Sequence, residues 1–272
     1  MNGKGSLGLR TLGCSAPDVA SVVLVNNVSV EPFRLRQPRF AMCVRDLPPS
    51  AVWRLAASGE ADLAVVPIAR RLAVEEFMEP LGDFGVACRG AVGSVLLFAE
   101  VPLAKLAEDR LPIHLTTESE TSRRLLHVLW KREYGVEPAF TVDPASARAR
   151  LLIGDEALRE HRVPHAWPVV ADLCAWWELQ TGLPFVFARW MVRRSTGPGF
   201  KCRAHAWLDE CVNAAQTACG REAMAAQALA AGLFADHEAA LFYLSQLRSR
   251  FDASDRSGEA LFLEQLVAHH AD

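Results

Sequence analysis

Four short stretches carry residue types that could hold or transform a small acid. Ser94 lies in Gly90-Ala-Val-Gly-Ser-Val95, where flanking glycines leave backbone open to a ligand and one hydroxyl beside it. No Gly-x-Ser-x-Gly elbow surrounds it, so a hydrolase nucleophile is not indicated. A strand serine satisfied by local hydrogen bonds is the plainer alternative. Ser119, Glu120, Thr121 and Ser122 fall between an apolar strand and a helical pattern. Their hydroxyls and the free N–H groups of a helix start can face an anion, or simply cap the helix. Arg123 and Arg124 follow, and basic residues in a first turn are usually solvated. Gly154 and Asp155 end the apolar run Leu151-Leu-Ile153. The glycine permits close approach, and the aspartate can orient a hydroxyl or cap the next helix. Thr181 and Gly182 open Thr181-Gly-Leu-Pro-Phe-Val-Phe-Ala-Arg-Trp190. Here a hydroxyl and an open N–H precede a proline-fixed strand, a suitable pocket wall.

Elements that would position these residues can be read from the pattern. Val22–Val25, Ala61–Val66, Pro112–Thr116 and Ala147–Ile153 read as strands, with longer extended segments at Gly85–Ala87 and Gly93–Ala99. Ser50–Ser58 and Thr121–Arg132 read as helices, the first opened by Pro48-Pro49 and a serine cap and stopped by Gly59. Alternation of this kind predicts an α/β fold with mostly parallel sheet. Beyond Trp190 the chain turns helical, over 204–219, 221–233, 236–250 and 257–270, with breaks at Gly220, Gly232 and Asp252–Asp255.

Composition excludes several classes. The chain has 272 residues, 51% of them apolar, and a net charge of −3. That balance offers no basic field for nucleic acid and no cationic face for a membrane. The apolar run Val19–Val25 is too short to span a bilayer. Seven dispersed cysteines form no CxxC pair, which suits unpaired thiols in a cytoplasmic protein. His161 and His165 have ligand spacing, but Pro164 between them breaks a helical pair, so no metal site is expected. With no GxGxxG and no Walker loop, the chain reads as cofactor-free.

The motifs Gly59-Glu-Ala-Asp-Leu-Ala-Val-Val-Pro67, Gly90–Phe98, Ser119–Ser122, Leu151–Leu158 and Thr181–Trp190, in this order, resemble the menaquinone-biosynthesis family whose best-known activity is chorismate dehydratase. The resemblance covers most of the chain. It implies a two-lobed periplasmic-binding-protein-like type II α/β fold with a central cleft and C-terminal helices. One lobe would be residues 1–97 with 185–272, and the other 98–184. It also implies a lyase acting on chorismate, a small dianion, in the futalosine route. Ser94 and either Asn26 or Asn27 would then serve catalysis. The Ser119–Ser122, Gly154-Asp155 and Thr181-Gly182 groups would bind substrate. Dehydratase members usually carry a Tyr-Leu-Asn strand end closely followed by Pro. Here Val23-Leu-Val-Asn-Asn-Val-Ser-Val-Glu-Pro32 lacks the tyrosine and displaces the proline. The alternatives are a member acting on another chorismate-like acid, or a sensor that binds an aromatic acid without turnover.

Overall fold

Val22 to Val25 are almost wholly excluded from solvent and form the inner strand that organises the first sheet. A strand buried on both faces needs a continuous apolar run, which this segment supplies. The computed structural model describes residues 19–115, 120–162 and 167–268. Strand β1 (Ala20–Val25) pairs in parallel with β2 (Met42–Leu47) on one side and β3 (Leu63–Pro67) on the other. Between β1 and β2 runs a 3-10 segment, Val28–Arg34. Helix α1 (Pro49–Ala57) and the short α2 (Arg71–Val74) flank β3, with a 3-10 turn at Ile68–Arg70. Ser50 does not cap α1. Pro48 is the N-cap residue and Pro49 starts the helix, where a missing N–H costs nothing.

The long strand β4 (Met78–Cys88) leads to β5 (Val95–Ala99), which belongs to a second sheet. There follow α3 (Leu103–Glu108), β6 (Ile113–Leu115), α4 (Glu120–Tyr134), β7 (Phe140–Thr141), β8 (Ala149–Ile153), α5 (Gly154–Arg162), β9 (Val169–Asp172) and α6 (Leu173–Thr181). The chain returns through β10 (Phe185–Arg193), which inserts antiparallel between β3 and β4. It ends in α7 (Pro198–Ala215), α8 (Ala218–Ala230), α9 (His237–Gln246), β11 (Leu247–Arg250) and α10 (Ala253–Ala268). The six-stranded sheet has the order β11-β4-β10-β3-β1-β2, and the five-stranded sheet β7-β6-β8-β5-β9.

Both sheets are mixed rather than mostly parallel. β5 runs against β8 and β9, and β10 against both its neighbours. A strand that crosses between lobes enters its sheet without a crossover helix, so nothing enforces parallel pairing. The boundary at 97/98 falls inside β5. The crossing segments lie instead between Cys88 and Val95 and just before Phe185. Residues 247–250, expected as the end of a helix, form β11 on the edge of β4.

The C-terminal helices are not confined to one lobe. Helix α7 packs on the first sheet, with Trp207 edge-on to Trp190 at 5.8 Å. Helix α10 sends Phe262 against Phe185 (4.9 Å) of β10 and Trp177 (5.9 Å) of α6. One continuous core joins Leu97 and Ala99 of the second sheet to Met224, Tyr243 and Phe262. Burying a ring of this size contributes roughly 2–3 kcal/mol, so α10 ties the two lobes together at their hinge. Cys43 is disulfide-bonded, contrary to the expectation of unpaired thiols, whereas Cys88, Cys174, Cys202, Cys211 and Cys219 are free. No helix among the described residues is long and apolar enough to cross a membrane.

Candidate active site

The two sheets face each other across a cavity that is partly open to solvent. Val25, Pro67, Val86 and Ala188 line it from the first sheet, and Val95 and Ile153 from the second. Phe187 and Leu247 add apolar wall. Its polar groups are few and neutral: Asn27, Ser29, Ser94, Thr121, Ser122 and Tyr243. Among the described lining residues none is a carboxylate, an imidazole or a lysine.

Ser94 sits at the start of β5, where the crossing segment delivers it, and is 5% exposed. Its hydroxyl is 3.1 Å from the phenol oxygen of Tyr243. Two hydroxyls that share one hydrogen bond keep one proton to donate elsewhere. Burial raises the Tyr243 phenol above its usual range, with the Ser94 hydrogen bond acting the other way. The pair is therefore a neutral donor unit at ordinary pH. Sequence reasoning missed Tyr243. Its only local signal is that the chain has just two tyrosines and this one lies in an apolar helix.

Asp172 was also missed, and it fixes the crossing turn. One carboxylate oxygen accepts from the N–H groups of Val92 (2.9 Å) and Gly93 (2.6 Å). The other accepts from Cys174 (2.9 Å) and Ala175 (3.2 Å), capping α6. Burial raises this carboxyl, and the four backbone donors pull against it. An aspartate between a strand and a helix is a recognisable N-cap, but its second pair of bonds reaches across about 80 residues of chain. Asp172→Ala is expected to lower unfolding stability by about 3 kcal/mol, counting a lost cap and two orphaned buried N–H groups. Equilibrium urea unfolding checks this.

Other expected residues divide between lining the cleft, lying beside it and lying elsewhere. Thr121 and Ser122 are buried at the first turn of α4 and line the cleft. Thr121 Oγ1 accepts from the Ala69 N–H at 3.4 Å, bridging the lobes. Gly154 lines the cleft with φ of 55°, a conformation few other residues tolerate, and donates its N–H to the Ser94 carbonyl at 2.7 Å. Asn27, not Asn26, lines it. The Asn27 carboxamide oxygen accepts from the Ser29 N–H (3.1 Å) and hydroxyl (2.5 Å), capping the 3-10 segment. Asn26 is exposed and borders a neighbouring cavity with Glu31, Arg34, Asp46 and Asp155. Burial raises the Asp155 carboxyl, while Arg159 and the Val28 backbone lower it. Ser119 lies outside the described residues, as does His165.

Glu120 lies beside the cleft with both oxygens engaged, by Arg70 at 2.5 Å and Arg124 at 2.8 Å. Thr181 and Gly182 are not at the cavity, contrary to expectation. Thr181 Oγ1 donates to the Trp177 carbonyl at 2.7 Å, and Gly182, at φ 71°, donates to Glu178 at 2.7 Å. This is a left-handed helix stop. It resembles a ligand-gripping turn in sequence because both uses need the same residues. The Phe185–Trp190 strand that follows does reach the cleft, through Phe187 and Ala188.

Two mixed sheets, two crossings and an interlobe cavity define a periplasmic-binding-protein-like type II fold. Solved structures agree at the level of fold. The chain is similar to protein AF1704 of Archaeoglobus fulgidus, with a TM-score of 0.66 at 13% identity, over 93% of this chain and 98% of that one. It is likewise similar to the periplasmic aliphatic sulphonate binding protein SsuA of Escherichia coli, with a TM-score of 0.61 at 15% identity, over 93% and 94%. The chain belongs to the menaquinone biosynthesis family, whose profile matches residues 17–268. It is 34% identical over 242 residues to the chorismate dehydratase of Thermus thermophilus, covering 80% of this chain and 84% of that protein.

Proposed function

We propose that this protein is a chorismate dehydratase, a hydro-lyase that converts chorismate to 3-[(1-carboxyvinyl)oxy]benzoate in menaquinone synthesis. The observation that carries the chemistry is the cleft's neutral lining, in which the donors are hydroxyls, an amide and backbone N–H groups. Loss of water aromatises the ring, so the reaction needs positioning more than a strong catalytic group. Thr121, Ser122 and the α4 start would hold one carboxylate with neutral donors. The Ser94–Tyr243 pair would donate to the departing hydroxyl, and Asn27 would bound the ring edge. Proton removal falls to a carboxylate of the substrate. Glu120 is occupied by two arginines, and Asp155 faces the neighbouring cavity. A cytoplasmic setting is part of this reading, and no bound cofactor is invoked.

Purified protein incubated with chorismate, with no metal or cofactor added, is expected to yield a product lighter by one water and with a benzoate ultraviolet spectrum. Unchanged chorismate would overturn the reading. Binding without turnover would instead make the protein an aromatic-acid sensor.

A further inference from the structure

Beside the cleft, and joined to it through Pro49, Pro67 and Thr121, lies a second recess lined by Trp53, Arg54, Arg70, Glu120 and Arg123. Among the described residues, three guanidiniums meet one carboxylate there, in a chain whose net charge is −3. Glu120 is divided between Arg70 and Arg124. The Arg70 guanidinium carbon sits 4.3 Å from the Trp53 ring centroid, a cation–π contact that restrains it alongside its pairing with Glu120. Arg54 and Arg123 are exposed and have no carboxylate partner among the described residues. They come from different lobes, Arg54 from α1 and Arg123 from α4. The cleft behind them holds neutral polar groups only. Excess positive charge is thus concentrated at one mouth of an otherwise neutral cavity.

We propose that Arg54, Arg70 and Arg123 form an anion subsite that takes one carboxylate of a diacid while its ring enters the apolar cleft. The diacid class rests on the function proposed above, although the subsite can be tested without it. Guanidinium groups pair with carboxylates through planar forks, and a local field of one sign raises the association rate of an oppositely charged ligand. Because Arg54 and Arg123 sit on opposite lobes, a carboxylate between them also favours the closed cleft. Glu120 acts as a positioning residue that pins Arg70.

The test uses the whole chain and benzene-1,3-dicarboxylate as probe, with benzoate for comparison. Affinities are measured by calorimetry at low and high salt. Arg54→Gln with Arg123→Gln is expected to weaken the diacid about fivefold, the effect of two partly screened charges. It should also flatten the salt dependence and change benzoate by less than about twofold. Lys105→Gln with Arg148→Gln removes the same charge elsewhere on the surface and should leave diacid affinity near that of wild type. Equal losses in both double variants would reduce the effect to net charge and overturn the subsite. So would wild-type affinity in the first variant, or no diacid binding by the wild type. Diacid binding lost only in the first variant, from a protein inert toward chorismate, would keep the subsite and remove the proposed reaction. Thermal melts of both variants check folding.

Discussion

Ser94→Ala is expected to lower chorismate turnover by more than about tenfold while leaving the fold intact, since a positioned donor contributes at least that much. The physical reason is the pairing of Ser94 with Tyr243 at 3.1 Å, inside a wall of valine, proline and phenylalanine side chains. Removing the serine hydroxyl leaves a buried phenol without its partner, and the donor aimed at the cleft loses its orientation. Ser94→Thr keeps a hydroxyl and should recover part of the rate. Tyr243→Phe should resemble Ser94→Ala, and the double variant should be little worse than either single, because the two act as one unit. Steady-state kinetics on the four proteins decides this. Full activity in Ser94→Ala would remove the pair from the reaction.

Glu259→Ala should destabilise the protein by about 3–5 kcal/mol, because it strands a buried cation. Arg189 on β10 pairs with Glu259 on α10, and their side chains are only 9% and 4% exposed. Asp83 at 3.1 Å and the Gly82 carbonyl at 3.0 Å also hold the guanidinium, which places the expected loss toward the lower figure. Arg189→Met with Glu259→Leu should regain most of the lost stability, since both desolvated charges then leave together. Equilibrium denaturation measures both effects. A loss below about 1 kcal/mol for Glu259→Ala would mean that Asp83 alone satisfies Arg189. The pair lies where α10 grips the returning strand, so its loss should also loosen the hinge that aligns the two cleft walls.

Local signals read well wherever one segment settled its own state. Val22–Val25, Leu63–Val66 and Leu151–Leu152 are buried strands because no other packing suits such runs. Leu125, Leu126, Leu129 and Trp130 are buried on one face of α4, as their spacing predicted. Ser94, Thr121, Ser122 and Gly154 meet at one cavity, and their strand-end and helix-start positions were visible from pattern alone.

Partners were a different matter. Thr181-Gly182 was expected to grip a ligand, and the bonds to Trp177 and Glu178 above it make it a helix stop instead. β11 was read as helix because its pairing energy lies in the edge of β4, about 160 residues earlier. Tyr243, Asp172 and the Arg54–Arg123 recess each depend on contacts between segments far apart in the chain. By itself the sequence determined the main buried strands, the apolar face of α4 and the donor-bearing loop ends, because propensity, capping and burial are local, while the two-lobed fold followed from its resemblance to the family. Only the tertiary structure decided which donors share a cleft, which acids are already paired and where positive charge gathers. Those properties depend on distances of a few ångströms, which no short stretch of chain encodes.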